Sequence, residues 1–248
     1  MPSSLFPLLA EAIQSEQLVA RVTLLAGPGA GAEMLVWPER HVGTLGHAAL
    51  DEEARRMAGD ALAHQQPRRF VLCQNENKWE IFADVFLPPP HLVMVGAVHI
   101  AIPLVTFGKA LGFRTTVVDA RRAFATQERF AHAHRLLIGW PADILPTLNL
   151  NESTCLVTLT HDEKLDNPAL LVALNSPVRY IGALGSRRTH AARVAALQEE
   201  GATDAQIARI HAPIGLDLGG RRPEEIAVAI IAQIVQVTNA KKEEGVKG

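Results

Sequence analysis

The sequence predicts an α/β protein in which a Rossmann-like, doubly wound parallel sheet follows a smaller α+β domain. Three observations support this prediction. Up to residue 87 the apolar pattern is typical of antiparallel strands combined with two helices. Prolines at 88, 89 and 90 then form a stiff connector that lacks N–H donors. Beyond them, short apolar strands alternate with helices, as in parallel sheets.

The first 87 residues are predicted to form a domain of two helices and five strands. Residues 3–17 and 47–64 carry apolar side chains at helical spacing. Turn residues separate short apolar runs, which read as strands at residues 19–26, 33–37, 41–45, 70–74 and 79–86. Because the turns are short, we expect antiparallel pairs.

The remainder of the chain predicts a second domain over residues 91–240. Its strands read as buried on both faces and are expected at residues 92–95, 115–119, 135–139, 155–159 and 178–184. The helices are expected at residues 100–111, 141–149, 166–175, 187–200, 203–210 and 223–238. The charged tail over residues 241–248 is predicted to be disordered.

The composition excludes several classes of protein. With 248 residues and 48% hydrophobic content, the chain can bury a core. Its 24 Lys and Arg residues nearly balance 26 Asp and Glu, so we expect neither nucleic-acid binding nor membrane binding. We find no signal peptide and no apolar run of about 18 residues, and therefore expect a cytoplasmic protein.

The two cysteines, Cys73 and Cys155, give little support for a disulfide or a zinc site. They are far apart, and no CxxC spacing or Cys/His cluster surrounds them. We predict that both are small, buried strand residues.

Ligands of doubly wound sheets bind beyond the carboxyl ends of the strands, so the loops there are the candidate site. Gly96 and His99 lie where a dinucleotide fingerprint belongs, and Asp119 follows about 20 residues later, as a ribose-binding acid would. Val98 takes the place of the second glycine and opposes close approach of a pyrophosphate. An ordinary strand-to-helix turn explains this loop equally well.

Two further loops carry charge after predicted strands. Arg121 follows Asp119 and could recognise a phosphate or form a surface salt bridge. His161 and Asp162 could hold a metal, relay a proton or cap the next helix. For that cap, we favour Asp166.

The loop after the last predicted strand gives the clearest signal. Gly182 and Gly185 permit close backbone approach, and Ser186 can cap the helix that follows. Arg187 adds positive charge to the free N–H groups at the helix start, which predicts an anion site. The alternative is a capped helix with solvated arginines. Farther on, residues 211–220 form a Gly-rich loop that could cover the ligand edge, before a helix that begins near Pro223.

Several short sequence segments, taken together, resemble those of the XdhC/CoxI family, the accessory proteins of xanthine dehydrogenase. The resemblance is carried by residues 81–85 with the prolines at 88–90, and by residues 117–121, 159–162, 180–187 and 211–217. It covers essentially all of residues 80–238. Two departures are the absence of a cysteine in the Gly-rich stretch over residues 43–50 and the presence of Val98 in the first loop.

The resemblance implies a Rossmann-like domain and a chaperone that binds molybdenum cofactor. Such a protein assists sulfuration of the cofactor and its insertion into a xanthine or carbon monoxide dehydrogenase-type molybdenum hydroxylase. The expected partners are that apoenzyme and a cysteine desulfurase, and we expect a homodimer. The expected cofactor-binding residues are Gly96, His99, Asp119, Arg121, His161, Asp162, Gly182, Gly185, Ser186 and Arg187.

Two other functions stay open. Asp119 is compatible with an NAD(P)-dependent oxidoreductase, but Val98 opposes it and we see no acid/base set such as Tyr-x-x-x-Lys. Alternatively, the chain is a ligand-free interaction module for a dehydrogenase. Binding of molybdenum cofactor, NAD and NADP, measured side by side, separates the three functions.

Overall fold

The computed structural model describes residues 5–74 and 77–243 and divides the chain into two compact units. One unit comprises the described residues up to Pro88 together with those from Lys241 onward, and the other spans Pro89–Ala240. The first contains an antiparallel sheet and the second a parallel sheet, so the predicted fold class is confirmed. The change from one sheet type to the other falls at the three prolines.

The first unit is a five-stranded antiparallel sheet with two helices. Its strands are β1 Val19–Ala26, β2 Glu33–Val36, β3 His41–Gly43, β4 Arg68–Gln74 and β5 Asn77–Phe86, in the order β3-β2-β1-β5-β4. Its helices are α1 Phe6–Gln14 and α2 Ala48–His64. Alternate residues of β1 belong to two different cores: Ala20 and Val22 pack in the cluster that includes α2, and Val19 packs in the cluster that includes α1.

Two expectations for the first unit differ from the structure. Helix α1 is shorter than predicted, because it ends at Gln14 and Glu16 already adopts a left-handed φ of 54°. Cys73 is exposed rather than buried, since it lies on the edge strand β4 and alternates with the inward-facing Phe70 and Leu72. Cys155 is buried as predicted.

The second unit is built on a six-stranded parallel sheet. Its strands are β6 His91–Val95, β7 Arg114–Asp119, β8 Arg135–Ile138, β9 Thr154–Thr158, β10 Tyr180–Ala183 and β11 Ile210–His211. Their order, β11-β10-β9-β6-β7-β8, is the 3-2-1-4-5-6 order of dinucleotide-binding domains read from the other edge. The strand order therefore reverses between β6 and β9, which is where such sheets bind ligands.

Helices cover both faces of this sheet. They are α3 Ala101–Ala110, α4 Gln127–Phe130, α5 Pro141–Ile144, α6 Glu163–Leu174, α7 Arg187–Glu199, α8 Asp204–Ile207 and α9 Pro223–Glu243, with a 3-10 helix at Leu145–Thr147. One apolar core joins the sheet to α3 and α9. The other joins it to α6 and α7. None of the helices in the described residues is long and apolar enough to cross a membrane.

Several element boundaries in this unit correct the prediction. The helix expected over residues 203–210 ends at Ile207, and Ile210–His211 pairs with β10 as a sixth strand. A segment of two strand residues is too short to show a period in the sequence. The helix expected over 141–149 is the short α5 followed by the 3-10 helix, and α4 was not predicted.

Helix α9 starts at Pro223, as expected, but extends to Glu243 instead of ending at residue 238. Part of the tail expected to be disordered is therefore helical. Residues 244–248 of that tail lie outside the described residues, as do 75 and 76 in the turn expected between β4 and β5.

Candidate functional site

The candidate site lies at the carboxyl edge of the parallel sheet. Because β6, β7, β9 and β10 run in the same direction, the loops that follow them reach the same edge. These loops contain all of the predicted site residues except Asp119, which ends β7, Gly182, and Arg187, which is the first residue of α7. Gly182 lies within β10, where a Cβ would clash with Ile214, so its missing side chain serves packing.

Gly96 allows the loops after β6 and β9 to approach each other. Its φ is +117°, and a Cβ on it would lie 2.6 Å from Cγ2 of Thr160. The glycine is therefore required by contact within the protein. Farther along the same loop, Val98 is half-buried and packs against the core, whereas His99 is exposed.

Asp119 is fully buried, and four donors of its own chain occupy its carboxylate. Oδ1 accepts from the backbone N–H and Nε of Arg121, both at 2.9 Å. Oδ2 accepts from the N–H of Ala97 at 2.7 Å and from Nη2 of Arg121 at 2.8 Å. Since a carboxylate has about four lone-pair sites, none remains for a ribose hydroxyl.

These bonds also set the protonation state of Asp119. Burial raises its pKa, but the hydrogen bonds from the Arg121 side chain and from the Arg121 and Ala97 N–H groups outweigh burial. The pKa of Asp119 is therefore below its ordinary value. Asp119 stays ionised and ties the loop after β6 to the loop after β7.

Arg121 remains accessible although it is paired. Its side chain is 31% exposed, and its guanidinium lies 4.6 Å from the ring centre of Phe124. The hydrogen bond with Asp119 raises the pKa of Arg121, and the charges of Asp162 and Asp166 raise it further. Arg121, in the loop after β7, is thus close enough to Asp162, in the loop after β9, to respond to its charge.

Asp162, not Asp166, caps helix α6. Its Oδ1 accepts from the N–H of Lys164 at 3.0 Å, and its own N–H donates to Oγ1 of Thr160 at 3.0 Å. Before it, exposed His161 adopts a left-handed φ of 61°. The expected cap at Asp166 is wrong because α6 begins at Glu163, three residues earlier than predicted.

Asp166 instead forms a buried ion pair that the sequence analysis missed. Oδ1 accepts from Oγ1 of Thr160 at 2.7 Å, and Oδ2 lies 3.6 Å from Nη2 of Arg193. The same Nη2 donates to the carbonyl of Leu184 at 3.1 Å. Burial raises the pKa of Asp166 and lowers that of Arg193.

A sequence signal for this pair existed. Asp166 precedes Ala169 and Leu170 at helical spacing, and Arg193 precedes Leu197 in the same way. Charged residues on the apolar faces of two helices indicate a buried pair.

The first turn of α7 has free N–H donors and exposed basic side chains. Oγ of Ser186 accepts from the N–H of Thr189 at 3.1 Å, which confirms the predicted cap. The N–H groups of Arg187 and Arg188 have no acceptor within the helix, and both side chains are exposed. Gly185 has a φ of +144°, and a Cβ on it would lie 3.2 Å from Cβ of Thr189.

The Gly-rich loop after β11 returns to the sheet next to this helix start. The N–H of Ile214 donates to the carbonyl of Ala183, the last residue of β10, at 3.1 Å. Oε1 of Gln233 accepts from the N–H of Gly215 at 2.9 Å and from the Tyr180 hydroxyl at 2.5 Å. The loop is thus held against the carboxyl edge.

No group of three or more His, Cys, Asp or Glu side chains in the described ranges is arranged to hold a metal ion. The carboxyl edge instead carries basic side chains and free N–H donors at the start of α7. The imidazole of His161 lies in the neighbouring loop.

The strand order and the loops at the carboxyl edge define a Rossmann-type domain. Residues 92–234 match the family model described as the XdhC Rossmann domain. Residues 12–73 match the model of the XdhC and CoxI family. The chain belongs to the XdhC/CoxI family.

The relatives differ in what their names say. The chain is 28% identical to the uncharacterized protein YqeB of Escherichia coli, and the alignment covers 86% of this chain and 41% of YqeB. It is 28% identical to a probable xanthine dehydrogenase subunit of Bacillus subtilis, over 63% of this chain and 45% of that protein. It is 30% identical to the molybdenum cofactor insertion chaperone PaoD of Escherichia coli, over 41% of this chain and 33% of PaoD. The chain thus spans less than half of these curated relatives.

Solved structures also resemble this chain over most of its length. The crystal structure of a xanthine dehydrogenase from Bacillus halodurans superimposes with a TM-score of 0.55, at 20% sequence identity and with 96% of each chain covered. At this identity the likeness concerns the fold alone.

Proposed function

We propose that this protein is an accessory factor that binds molybdenum cofactor and assists its insertion into a molybdenum hydroxylase of the xanthine dehydrogenase type. Family membership supports the proposal, and so do relatives named as a molybdenum cofactor insertion chaperone and as part of a probable xanthine dehydrogenase. In this function the cofactor is cargo, and the chemistry of its molybdenum serves the client enzyme.

The main structural support for the proposal is the set of donors at the start of α7. The cofactor's pterin bears a phosphate, and a helix start with unpaired N–H groups attracts such an anion. Ser186 caps one N–H and leaves those of Arg187 and Arg188 for the ligand. The two exposed guanidinium groups supply charge for charge-assisted hydrogen bonds. The donor set therefore fits a phosphate.

The other proposed site residues fall into two groups, those accessible to a ligand and those whose contacts lie within the protein. Arg121 is partly exposed and adds positive charge, and we propose that His161 or Asp162 faces the reactive end of the cargo. Gly96 and Asp119 shape the loops, because their contacts are with Thr160, Ala97 and Arg121. His99 is exposed beside them.

Three parts of the proposal concern partners. Assistance with sulfuration would require a cysteine desulfurase to reach the cargo while this protein holds it. Insertion would require docking to the apoenzyme of the hydroxylase. We also propose a homodimer, which light scattering of the purified protein measures directly.

A binding experiment tests the proposal. The anaerobic protein is titrated with molybdenum cofactor released from a donor enzyme, with NAD and NADP in parallel. We expect molybdenum and pterin to co-elute with the protein in gel filtration, and neither nucleotide to bind tightly. The matched variant Arg187→Ala/Arg188→Ala, which changes only exposed side chains, is expected to lose the cargo while staying folded. Equal cargo binding by this variant would refute the site, and tight binding of NAD alone would refute the function.

A further inference from the structure

The ion pair of Asp166 and Arg193 is buried but incompletely bonded. Asp166 is 0% exposed and Arg193 3%. Within the described part of the chain, Oδ2 of Asp166 and both Nε and Nη1 of Arg193 have no hydrogen-bond partner. Oδ2 of Asp166 and Nη2 of Arg193 are 3.6 Å apart, longer than a good charge-assisted hydrogen bond.

Stability does not explain such a pair. Removing two charges from water costs more than their attraction returns unless the geometry is good and the remaining donors and acceptors are paired. Apolar residues of similar volume are often equally stable at such positions. The pair is buried on α6 and α7, the helices whose apolar residues Ala169, Leu170 and Leu197 belong to one core.

The position of the pair, between two loops of the candidate site, indicates a function for it. The pairing between β9 and β10 ends at the bridge of Thr158 and Ala183. A chain of polar contacts then joins the loops after these strands: Thr160 donates to Asp166, Asp166 faces Arg193, and Arg193 donates to the carbonyl of Leu184. Thr160 belongs to the loop of His161 and Asp162, and Leu184 precedes Gly185 and Ser186.

The guanidinium also lies directly behind the start of α7. Nη1 of Arg193 is 3.8 Å from the point that a Cβ on Gly185 would occupy. The ion pair thus contacts the loop of the proposed phosphate site from the interior of the protein.

We propose that Asp166 and Arg193 are positioning residues that hold the loops after β9 and β10 at the separation that the cargo needs. This inference rests on the proposed function for its ligand, but the geometry it describes belongs to the free protein. Without the pair the two loops would move independently, and a phosphate bound at Ser186 would no longer align its pterin with His161 and Asp162.

The test replaces both charges at once, in the variant Asp166→Leu/Arg193→Met, so that no lone buried charge remains. We expect a folded protein of similar melting temperature. Hydrogen exchange should become faster at the amides of residues 160–162 and 184–189 and stay unchanged elsewhere in the sheet. The affinity for molybdenum cofactor should fall by about tenfold or more, because small misplacements of binding groups are costly.

Two controls make the outcome specific. The variant Glu53→Leu/Arg56→Met removes a surface ion pair of the first unit and should change neither loop exchange nor affinity. Arg193→Lys keeps the charge but loses the guanidinium fork. It should bind the cofactor more weakly than the wild type and better than the double variant, and its comparison with the wild type also serves if the double variant fails to fold.

The inference and the proposed function fail in different ways. If the double variant is stable and both its loop exchange and its affinity equal those of the wild type, the positioning inference is overturned. If the wild type itself does not bind the cofactor, the proposed function fails, and exchange alone decides the inference. Faster exchange in both loops then supports it, and unchanged exchange contradicts it.

Discussion

The loops after β6 and β10 both lead into helices at the same edge of one sheet, yet they use their glycines and N–H groups in opposite ways. In the first loop, the N–H of Ala97 donates to Asp119, and those of Ala101 and Ile102 donate to the carbonyls of Val98 and His99. In the second, the cap of Ser186 serves Thr189 and leaves two earlier N–H groups to solvent.

The glycine-fingerprint position and the free N–H donors therefore lie in different loops. Rossmann domains usually bind a pyrophosphate at the first loop. Here the first loop is closed by contacts within the protein, and the exposed arginines lie at the start of α7. Substitutions in the first loop should therefore change stability, whereas those in the second should change binding.

The largest effect on stability is expected for Gly96→Ala. The variant forces a side chain into a backbone with φ of +117° and against Thr160. Strain and overpacking together should lower the free energy of unfolding by about 3 kcal/mol. Urea unfolding measures the loss. Gly112→Ala is the matched control: its φ is +82° with nothing within 4 Å, so it should cost only about 1 kcal/mol. Equal losses would show that the contact with Thr160 does not matter.

A smaller loss is expected for Asp119→Asn. The amide cannot accept from all four donors, and Arg121 loses its partner, so we expect a loss of about 2 kcal/mol at neutral pH. The same urea titrations, repeated at several pH values, measure it.

The pH dependence of that loss has a defined sign. Because the folded pKa of Asp119 is lowered, its contribution is complete above the unfolded pKa, about 4, and is lost as the pH falls through the folded value. The wild type and Asp119→Asn should therefore converge in stability below about pH 4. A gap that stays constant down to about pH 2 would mean that the carboxylate charge is not responsible.

Ser186→Ala should cost about 1 kcal/mol of stability, the usual value of a lost N-cap. In contrast with Gly96→Ala, this variant should also weaken cargo binding, because the start of α7 frays where the phosphate binds. Thermal unfolding and a cofactor titration check the two effects. Normal affinity in a variant that is measurably less stable would separate the cap from the site.

Val98→Gly is expected to have the smallest effect on binding. Added freedom of the unfolded chain should cost about 0.5–1 kcal/mol, and the lost packing of the half-buried side chain adds to this cost. Tight NAD binding should not appear, because the carboxylate of Asp119 remains occupied. Calorimetric titration of NAD into both forms decides this point. Micromolar binding by the glycine variant would show that Val98 alone closes the first loop.

The sequence was sufficient to predict what depends on local pattern. The apolar strands of both sheets, the parallel arrangement after residue 90 and the cap at Ser186 follow from period and residue type, and the structure has them. The two-residue strand β11 could not be predicted, because its pairing with β10 is a tertiary contact. The partners of Asp119 and Asp166 could not be predicted for a similar reason, because the fold fixes them, although helical spacing did indicate that Asp166 is buried.

One measurement tests the central claim that the anion site is at the start of α7 and not in the first loop. Isotope-labelled protein is titrated with a phosphorylated pterin while backbone amide shifts are followed. We expect saturable shifts at the amides of Arg187, Arg188 and Thr189, with those of Ala97, His99 and Ala101 unmoved. Shifts confined to the first loop, or no saturable shift in either, would contradict the claim.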